Sequence, residues 1–475
     1  MVLPWLLSSP ALTFVSVTYG DANKPFELFG LTGCAALVAV AAWELRRRRG
    51  RPFNDLWPVL LLVAVGLYAL AVTVEYFPAT WDYMCYENAA RAIVAHANPY
   101  NPHNQFHQGW GTYIIHPPTQ TQVMAAVYRG AAAFEAARTG TAADVDAVWR
   151  FIFYLFQCAQ FYLLLIAYVL CYRLGKALRL PAAGAAILAA ALLVLSNPVG
   201  RTLRHNQVNL WVLDFILAAI LLAARAPFAA GLMAALGGQL KLYPLSLAAP
   251  WALEKRWRAL AGVVVGWAAV VFIGTNAGRD WALWFKYAAF MSRFPAGTAF
   301  RDNSLHSVIS NTVDFEGALF GIHADVGTVI VKTAYLVGAA AFAAYFLYRF
   351  VRRARLYRAQ RDAAPAAGRG AFEQFRMTAD AADVLALALI ISPLVWEHHY
   401  VLAIPLVIWA AATRGRREPW AVGLAAFLML GVPTFSIYPL SYHRLAGLLW
   451  MLYITRPRPE TDPPPAALPG LPAAT

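Results

Sequence analysis

Charged residues are scarce in this chain, and their scarcity excludes an ordinary soluble protein. Only 13% of the 475 residues are charged and 60% are hydrophobic, whereas a soluble domain has about 25% charged residues. Apolar runs of about 20 residues recur along the chain and are broken by short basic loops, a pattern typical of proteins that cross the bilayer several times. The sequence therefore predicts an all-α, polytopic integral membrane protein.

Cysteine is also scarce, which argues against a disulfide framework or a cysteine-based zinc site. The chain has four cysteines, three of them in apolar runs, and none occurs in a CxxC or CxxH spacing. Such spacings are the usual sequence sign of a metal or disulfide site. The N-terminal segment has no basic residue before Lys24, so it lacks the charged start of a signal peptide.

The net charge of +14 raises the question of which anion the chain meets. Nucleic acid is one candidate, and anionic lipid head groups are the other. The basic residues punctuate the apolar runs and form no stripe on a soluble segment. We therefore reject nucleic acid as a partner and expect membrane lipids.

The apolar runs predict about 12–13 transmembrane helices. Segments 228–241 and 243–254 are too short to cross a ~30 Å hydrocarbon core as straight helices. They meet at Lys241, and we interpret them as one broken or re-entrant hairpin with Lys241 at its tip. The candidate spans are 27–45, 56–77, 147–172, 181–199, 207–224, 228–241, 243–254, 259–275, 325–349, 379–395, 399–413, 419–436 and 440–455.

Lysine and arginine set the predicted orientation. Most of them fall on one side of the membrane, which is cytoplasmic by the positive-inside rule. Residues 1–455 then form a single membrane domain, with 349–376 as a cytoplasmic linker whose arginines face lipid. Residues 456–475 read as a disordered cytoplasmic tail. The long loops lie on the opposite, extracytoplasmic side: 78–147, 200–206, 275–324, 392–399 and 436–441.

The first of these loops contains a carboxylate close to the lipid boundary. An apolar run ends at Pro78, and WDYMCYENAARAIVAHANPY follows over residues 81–100, placing Asp82 where a charge is costly unless it is partnered or functional. The outer loops are expected to form amphipathic juxtamembrane helices. On an ideal helix over 82–97, the face of Asp82 also carries Tyr86, Ala89, Ile93 and His96, while Glu87 and Arg91 fall opposite.

Further polar side chains fall on the same predicted side of the membrane. A carboxylate there would act as general base on a hydroxyl, and cations would hold a phosphate and neutralise it as it leaves. Asp82 is the candidate catalytic residue. The candidate substrate-binding residues are Tyr86, His116, Arg204, His205, Gln207, Asn209, Lys241, Arg301, Asn303, Glu397, His398 and His399.

Several candidates also have structural interpretations. Asp82 would cap the helix that follows it, and Lys241 would be an anchor whose stem snorkels. Two adjacent histidines on a helix point ~100° apart, so they do not predict a metal site. The remaining structural roles are hydrogen bonding between spans for Gln207 and Asn209, an arginine partner for Glu397, an interfacial anchor for Arg204, a belt position for Tyr86 and packing beside Trp396 for one of the two histidines.

The motifs resemble those of glycosyltransferase family 87, a family of GT-C type integral membrane enzymes that includes polyprenol-phosphate-mannose-dependent α-1,2-mannosyltransferases. DYMCYENAARAIVAHANPY is similar to the family's first outer loop. The resemblance continues in family order from about residue 60 to 412, and the chain departs from it at Asn206 and at Asp302-Asn303. The later matching elements are YIIHPPTQ, HNQVNLWVL, AAGLMAALGGQLKLYPL, RDNSLHS and ISPLVWEHHYV.

This resemblance implies an inverting hexosyltransferase on the extracytoplasmic face of a bacterial inner membrane. Asp82 would deprotonate a hydroxyl of a glycan or glycolipid acceptor, which then attacks the anomeric carbon of a polyprenyl-phosphate sugar, with mannose the expected hexose. Lys241, Arg204 and Arg301 would hold the phosphate, with His398 and His399 nearby. No metal and no other cofactor is expected beyond the lipid-linked sugar donor.

Two other functions fit parts of the sequence. A transporter or flippase of a lipid-linked or polar solute would explain the broken hairpin. Such proteins usually have matching inverted halves and ionisable groups deep in several spans, whereas here we find no repeat and expect the acidic residues to avoid span centres. A non-catalytic partner in envelope polysaccharide assembly is the third hypothesis.

Overall fold

The computed structural model describes residues 56–75, 81–101, 103, 116–293, 302–320, 324–363, 369–435 and 437–458. The described residues form helices and no strand, which confirms the predicted all-α class. The α-helices are α1 (Trp57–Glu75), α2 (Trp81–Val94), α3 (Pro118–Thr139), α4 (Val145–Ala177), α5 (Ala182–Val194), α6 (Asn197–Arg204), α7 (Asn209–Leu222), α8 (Pro227–Leu240), α9 (Ala248–Leu253), α10 (Trp257–Gly274), α11 (Ala282–Arg293), α12 (Leu305–Phe320), α13 (Ala324–Ala363), α14 (Arg369–Ile391), α15 (Ile404–Arg414), α16 (Pro419–Ala426) and α17 (His443–Ile454).

Three of these helices are long and apolar enough to cross a membrane, namely α4, α10 and most of α13. The pair α5 and α6, bent by 50°, makes a fourth candidate. Shorter apolar helices lie at Trp57–Ala71, Asn209–Leu222, Pro227–Leu240 and Pro419–Gly431. The count of 12–13 spans stays a prediction, and the predicted span 27–45 lies outside the described residues.

Helices α8 and α10 cross almost in backbone contact because glycines line their interface. A Cβ added to Gly231 would lie 2.0 Å from the carbonyl oxygen of Ala259, and one added to Gly262 would lie 2.0 Å from that of Phe228. Small residues allow this approach between membrane helices, where van der Waals packing drives association. The close crossing fixes α8, whose C-terminal end leads directly to Lys241.

The predicted break at Lys241 is present. Helix α8 ends at Leu240, and Lys241 is extended with φ −149° and ψ 138°. A 3-10 turn, Tyr243–Leu247, and the short helix α9 follow, so 243–254 is not one continuous helix. Pro244 reinforces the interruption because it lacks the N–H that a continuing helix would need.

Helix α2 presents the face predicted from the helical wheel. Tyr86, Ala89 and Ile93 are buried, and Arg91 pairs with Glu87 on the opposite, partly exposed face at 2.8 Å. His96 departs from the prediction, because the helix ends at Val94 and His96 is exposed with a left-handed φ of 56°.

The interpretation that the arginines of 349–376 face lipid was wrong for Arg349 and Arg353, whereas the cytoplasmic linker stays a prediction. Helix α13 continues to Ala363 and α14 begins at Arg369, so most of the segment is helical. Arg349 and Arg353 are fully buried, because carboxylates of α14 neutralise them. The sequence pattern does not reveal these partners, since Asp380 and Asp383 lie about thirty residues further along the chain.

Candidate active site

Asp82 is held at the start of α2 by an oriented amide. The Gln207 side chain donates a hydrogen bond to the Asp82 carboxylate, while the Tyr86 hydroxyl donates to Gln207 Oε1 at 3.2 Å. Because Tyr86 occupies the amide oxygen, the NH₂ group of Gln207 faces Asp82. Burial raises the pKa of the Asp82 carboxyl, and the Gln207 hydrogen bond and the charge of Lys241 oppose that rise.

Lys241 lies beside this carboxylate in a second hydrogen-bonded arrangement. Its Nζ is 2.7 Å from His399 Nε2, and His399 Nδ1 is 3.3 Å from the Tyr243 hydroxyl. Burial lowers the pKa of Lys241, while the negative charge of Asp82 opposes the decrease. Burial therefore raises the pKa of Asp82 and lowers that of Lys241, and the charge of each group opposes the shift of the other.

His116 lies in the wall between α2 and α8. Its Nδ1 is 2.5 Å from the Leu240 carbonyl oxygen, so Nδ1 carries the proton and donates. Its ring meets Tyr86 edge-on, with centroids 5.2 Å apart. Burial, together with the nearby charge of Lys241, lowers the pKa of His116 to about 3, which keeps the ring neutral.

His398 and His399 follow Glu397 in a 3-10 turn, Glu397–Ala403. Their rings are perpendicular with centroids 4.6 Å apart, and both are buried. Burial and the neighbouring Lys241 lower the pKa of each well below the ordinary histidine value. The charges of His205 and Arg201 also lower the pKa of His398. His205 and Arg201 therefore lie close to the two histidines.

An ion pair joins α6 to the histidine turn. Arg201 Nε lies 2.9 Å from Glu397 Oε1, and the Thr434 hydroxyl donates to Glu397 Oε2. Arg444 acts on the same carboxylate through its charge. Glu397 therefore has an arginine partner, as its structural interpretation predicts.

A second carboxylate, Asp302, holds the strand-like segment before the histidine turn. Its Oδ1 accepts hydrogen bonds from the backbone N–H groups of Val395 and Ser304, both at 2.9 Å. Asp302 also forms an isolated antiparallel bridge with Trp396. Burial raises the pKa of Asp302 to about 6 despite these hydrogen bonds.

Not every predicted residue enters this cluster. Asn209 Nδ2 donates to Thr202 Oγ1 at 3.2 Å, which favours the structural interpretation of Asn209. Arg204 is exposed. Asn303 is buried and its carbonyl oxygen accepts from Tyr400 at 3.2 Å. Arg301 lies outside the described residues.

Two residues absent from the sequence-based candidates, Tyr243 and Thr434, contact two of them. Tyr243 stands two residues after Lys241, at the predicted break, and this position in the sequence could have identified it as a site residue. No feature of the sequence indicated Thr434, because it lies 37 residues from Glu397. Across the described ranges, no group of three or more His, Cys, Asp or Glu residues is arranged to hold a metal ion.

The comparisons with known proteins find one family. Residues 145–365 match the model of glycosyltransferase family 87. Comparison with curated proteins and with solved structures gave no match. The matched segment includes Gln207 and Lys241 but not Asp82 or His399, which join them through the contacts above. The chain therefore contains a glycosyltransferase family 87 domain over residues 145–365, and that family together with the apolar helices indicates a membrane glycosyltransferase.

Proposed function

We propose that the protein transfers a hexose, expected to be mannose, from a polyprenyl-phosphate sugar to a hydroxyl of a glycan or glycolipid acceptor. Asp82 takes the proton of the attacking hydroxyl, and the hydroxyl oxygen forms a bond to the anomeric carbon. The bond from that carbon to the phosphate oxygen breaks, and polyprenyl phosphate leaves. A single displacement of this kind inverts the anomeric configuration.

The observation that carries this proposal is the position of Asp82 beside Lys241. Asp82 is half-buried and hydrogen-bonded by Gln207, so its geometry is set before any substrate arrives. A carboxylate whose pKa is raised is a stronger base, and general-base catalysis contributes about 10²–10⁴-fold. Lys241 is a donor-only cation, which suits an oxygen that gains negative charge as the phosphate leaves.

The histidines support the same assignment of the phosphate side. Burial and the charge of Lys241 lower the pKa values of His116, His398 and His399. An arriving phosphate would favour their protonated forms, because an opposite charge raises the pKa of a histidine. We propose that His398 and Lys241 contact the phosphate, and Arg204 and Arg301 remain further candidate cations for it.

The expected location follows from the charge pattern. The basic segments alternate with the loops that carry Asp82, Lys241 and His398, and positively charged loops stay in the cytoplasm. We therefore propose an active site on the extracytoplasmic face of a bacterial inner membrane. The donor reaches this site from within the bilayer because its polyprenyl chain is apolar.

The test is an assay of the purified protein with a panel of polyprenyl-phosphate sugars, following release of the lipid phosphate. We expect release with one or a few sugars when a hydroxyl acceptor is present. Asp82→Ala should lower the rate by about 10²–10⁴-fold. Glu87→Gln is the matched control, since Glu87 lies on the opposite face of the same helix and pairs with Arg91. If Asp82→Ala releases the lipid phosphate at the wild-type rate, Asp82 is not the general base.

One observation favours transport of a lipid-linked or polar solute as a second candidate function. The expectation that acidic residues avoid span centres was wrong, because Asp214 is buried within α7 and, among the described residues, neither carboxylate oxygen has a hydrogen-bond partner. Buried acids of this kind occur in transporters. Solute accumulation in sealed vesicles without sugar transfer would support transport and contradict the transferase.

A further inference from the structure

The directions of three hydrogen bonds around His399 can be worked out from donor chemistry. The negative charge of Asp82 favours the ammonium form of Lys241, and an ammonium has only donors. In the 2.7 Å contact His399 Nε2 then accepts and carries no proton. A neutral imidazole then has its proton on Nδ1. The Tyr243 hydroxyl oxygen lies 3.3 Å from Nδ1, and the Leu394 carbonyl oxygen also accepts a hydrogen bond from the His399 ring.

The Tyr243 hydroxyl has a suitable acceptor for its own proton. Its oxygen lies 3.2 Å from the Leu394 carbonyl oxygen and 3.1 Å from Ser392 Oγ. The hydroxyl therefore accepts from His399 and donates to the 392–394 segment, and both of its roles are used. Hydrogen bonds are therefore donated from Lys241 to His399, from His399 to Tyr243, and from Tyr243 to the backbone.

We infer that Tyr243 is a positioning residue, which fixes the Nδ1–H tautomer of His399 so that its Nε2 lone pair holds Lys241 in the charged form beside Asp82. This assigns His399 to the support of Lys241 and leaves His398 as the histidine free to meet the substrate. The kinetic consequence rests on the proposed function, whereas the tautomer itself does not.

The surroundings favour one charge on the Lys241–His399 pair. If His399 were protonated on both nitrogens while Lys241 stayed an ammonium, two donors would face each other across 2.7 Å. Among the described residues, the other titratable or charged groups that act on the pair or on Tyr243 are Asp82 on α2, His116 before α3, His398 and Tyr400 in the 3-10 turn and Asp302 before α12. Among these, only the two carboxylates carry a negative charge.

Removal of the Tyr243 hydroxyl should allow His399 to populate both neutral tautomers. In Tyr243→Phe the His399 ring proton loses the hydroxyl acceptor and keeps only the Leu394 carbonyl oxygen, so the Nε2–H form, which cannot accept from Lys241, gains population. The ammonium form of Lys241 is then less favoured and its pKa falls. The basic limb of the pH profile of kcat/KM, where Lys241 loses its proton, should move to lower pH by roughly half a unit or more.

The experiment is ¹⁵N NMR of histidine-labelled full-length protein in lipid, with His399 assigned by the signal lost in His399→Gln. We expect the Nδ1–H tautomer in wild-type protein and a mixture of tautomers in Tyr243→Phe. Tyr168→Phe is the control, because it removes another buried hydroxyl, bonded to the Pro58 carbonyl oxygen at 2.7 Å, and should leave the His399 signal unchanged.

Two results would overturn the inference. The first is an Nε2–H or doubly protonated His399 in the wild-type protein, which needs no variant to fold. The second is an unchanged tautomer in Tyr243→Phe. Absence of transfer by the wild-type protein with every donor would instead contradict the proposed function, and it would leave the tautomer result standing.

Discussion

One group of charged residues lies at the middle of α14 and another lies beyond its C-terminal end, and the two groups are organised in opposite ways. The arginine network, formed by Arg349, Arg353, Asp380 and Asp383, matches each guanidinium with carboxylates. Asp383 binds Arg349 through two contacts of 2.8 Å and Arg353 through a third of 2.8 Å. Arg353 also reaches Asp380 at 2.6 Å. The charges in this network neutralise one another.

The site cluster, formed by Asp82, Gln207, Lys241 and His399, uses neutral groups to hold its charges. Gln207 holds Asp82, and His399 holds Lys241 at 2.7 Å. Among the described residues, neither charge is neutralised within a tight ion pair, which in the proposed function leaves both charges available to a substrate. The arginine network therefore stabilises the fold, whereas in the proposed function the site cluster keeps reactive groups in place.

The largest expected effect on stability is in the arginine network. Asp383→Ala leaves two buried guanidinium groups without this partner, and breaking a buried pair in this way costs about 3–5 kcal/mol. Thermal unfolding in detergent should show a large decrease in Tm or no folded protein. Asp146→Ala is the control, because Asp146 pairs with Arg91 while 72% exposed, and its loss should cost at most ~0.5 kcal/mol. Equal Tm values for the two variants would contradict the distinction.

The corresponding change in the site cluster should affect activity more than stability. Lys241→Gln removes the cation beside Asp82 but keeps a donor group of similar length. We expect transfer to fall by about 10²–10³-fold, the range for loss of one group that stabilises developing negative charge, with Tm within a few degrees of wild type. Measurement of kcat and Tm on the same preparation checks this, and a Tm decrease as large as that of Asp383→Ala would remove the distinction.

Asp302 lies near the site, but we expect its carboxylate to affect stability and not activity, and the pH dependence of stability tests this. Its folded pKa of about 6 is higher than the ordinary 3.8, so the folded state binds more protons between these values. Stability is therefore lost as pH rises from about 4 to 6. Asp302→Asn keeps an oxygen acceptor for Val395 and removes the charge. It should be more stable than wild type at pH 7.5, by about 1–3 kcal/mol, and equal to it near pH 4. A Tm difference that does not depend on pH would contradict the assignment.

The smallest expected effect concerns the hydroxyl that orients Gln207. Tyr86→Phe removes a 3.2 Å hydrogen bond but leaves the ring packed against His116. A hydrogen bond contributes about 1 kcal/mol, so kcat/KM should fall by roughly fivefold. Steady-state kinetics measures this, with Tyr168→Phe as the matched control. A loss as large as that of an Asp82 variant would mean that Tyr86 acts directly on the substrate.

The site cluster could largely be predicted from the sequence, because its residues stand in short motifs at the ends of apolar runs. The helical wheel placed Asp82 and Tyr86 on one buried face, and the proline after Lys241 indicated the break. Hydrogen-bond direction could not be predicted, since it depends on which atoms of Gln207 and His399 face their partners in three dimensions.

The arginine network could not be predicted in the same way. Arg349 and Arg353 occur in a strongly basic stretch, which the positive-inside rule assigns to the membrane surface. Their burial depends on Asp380 and Asp383, one turn apart on another helix, and on the packing of α13 against α14. A pattern of single charges along the chain does not contain this pairing.

The proposed function depends on Asp82 as the base of a sugar transfer. The most direct test is the single-turnover rate of transfer from a polyprenyl-phosphate sugar by Asp82→Asn, measured at saturating acceptor on protein whose Tm equals that of wild type. The amide keeps the size of the side chain but cannot take the proton of a hydroxyl. We predict a decrease of about 10²–10⁴-fold. A rate near that of wild type would contradict the claim.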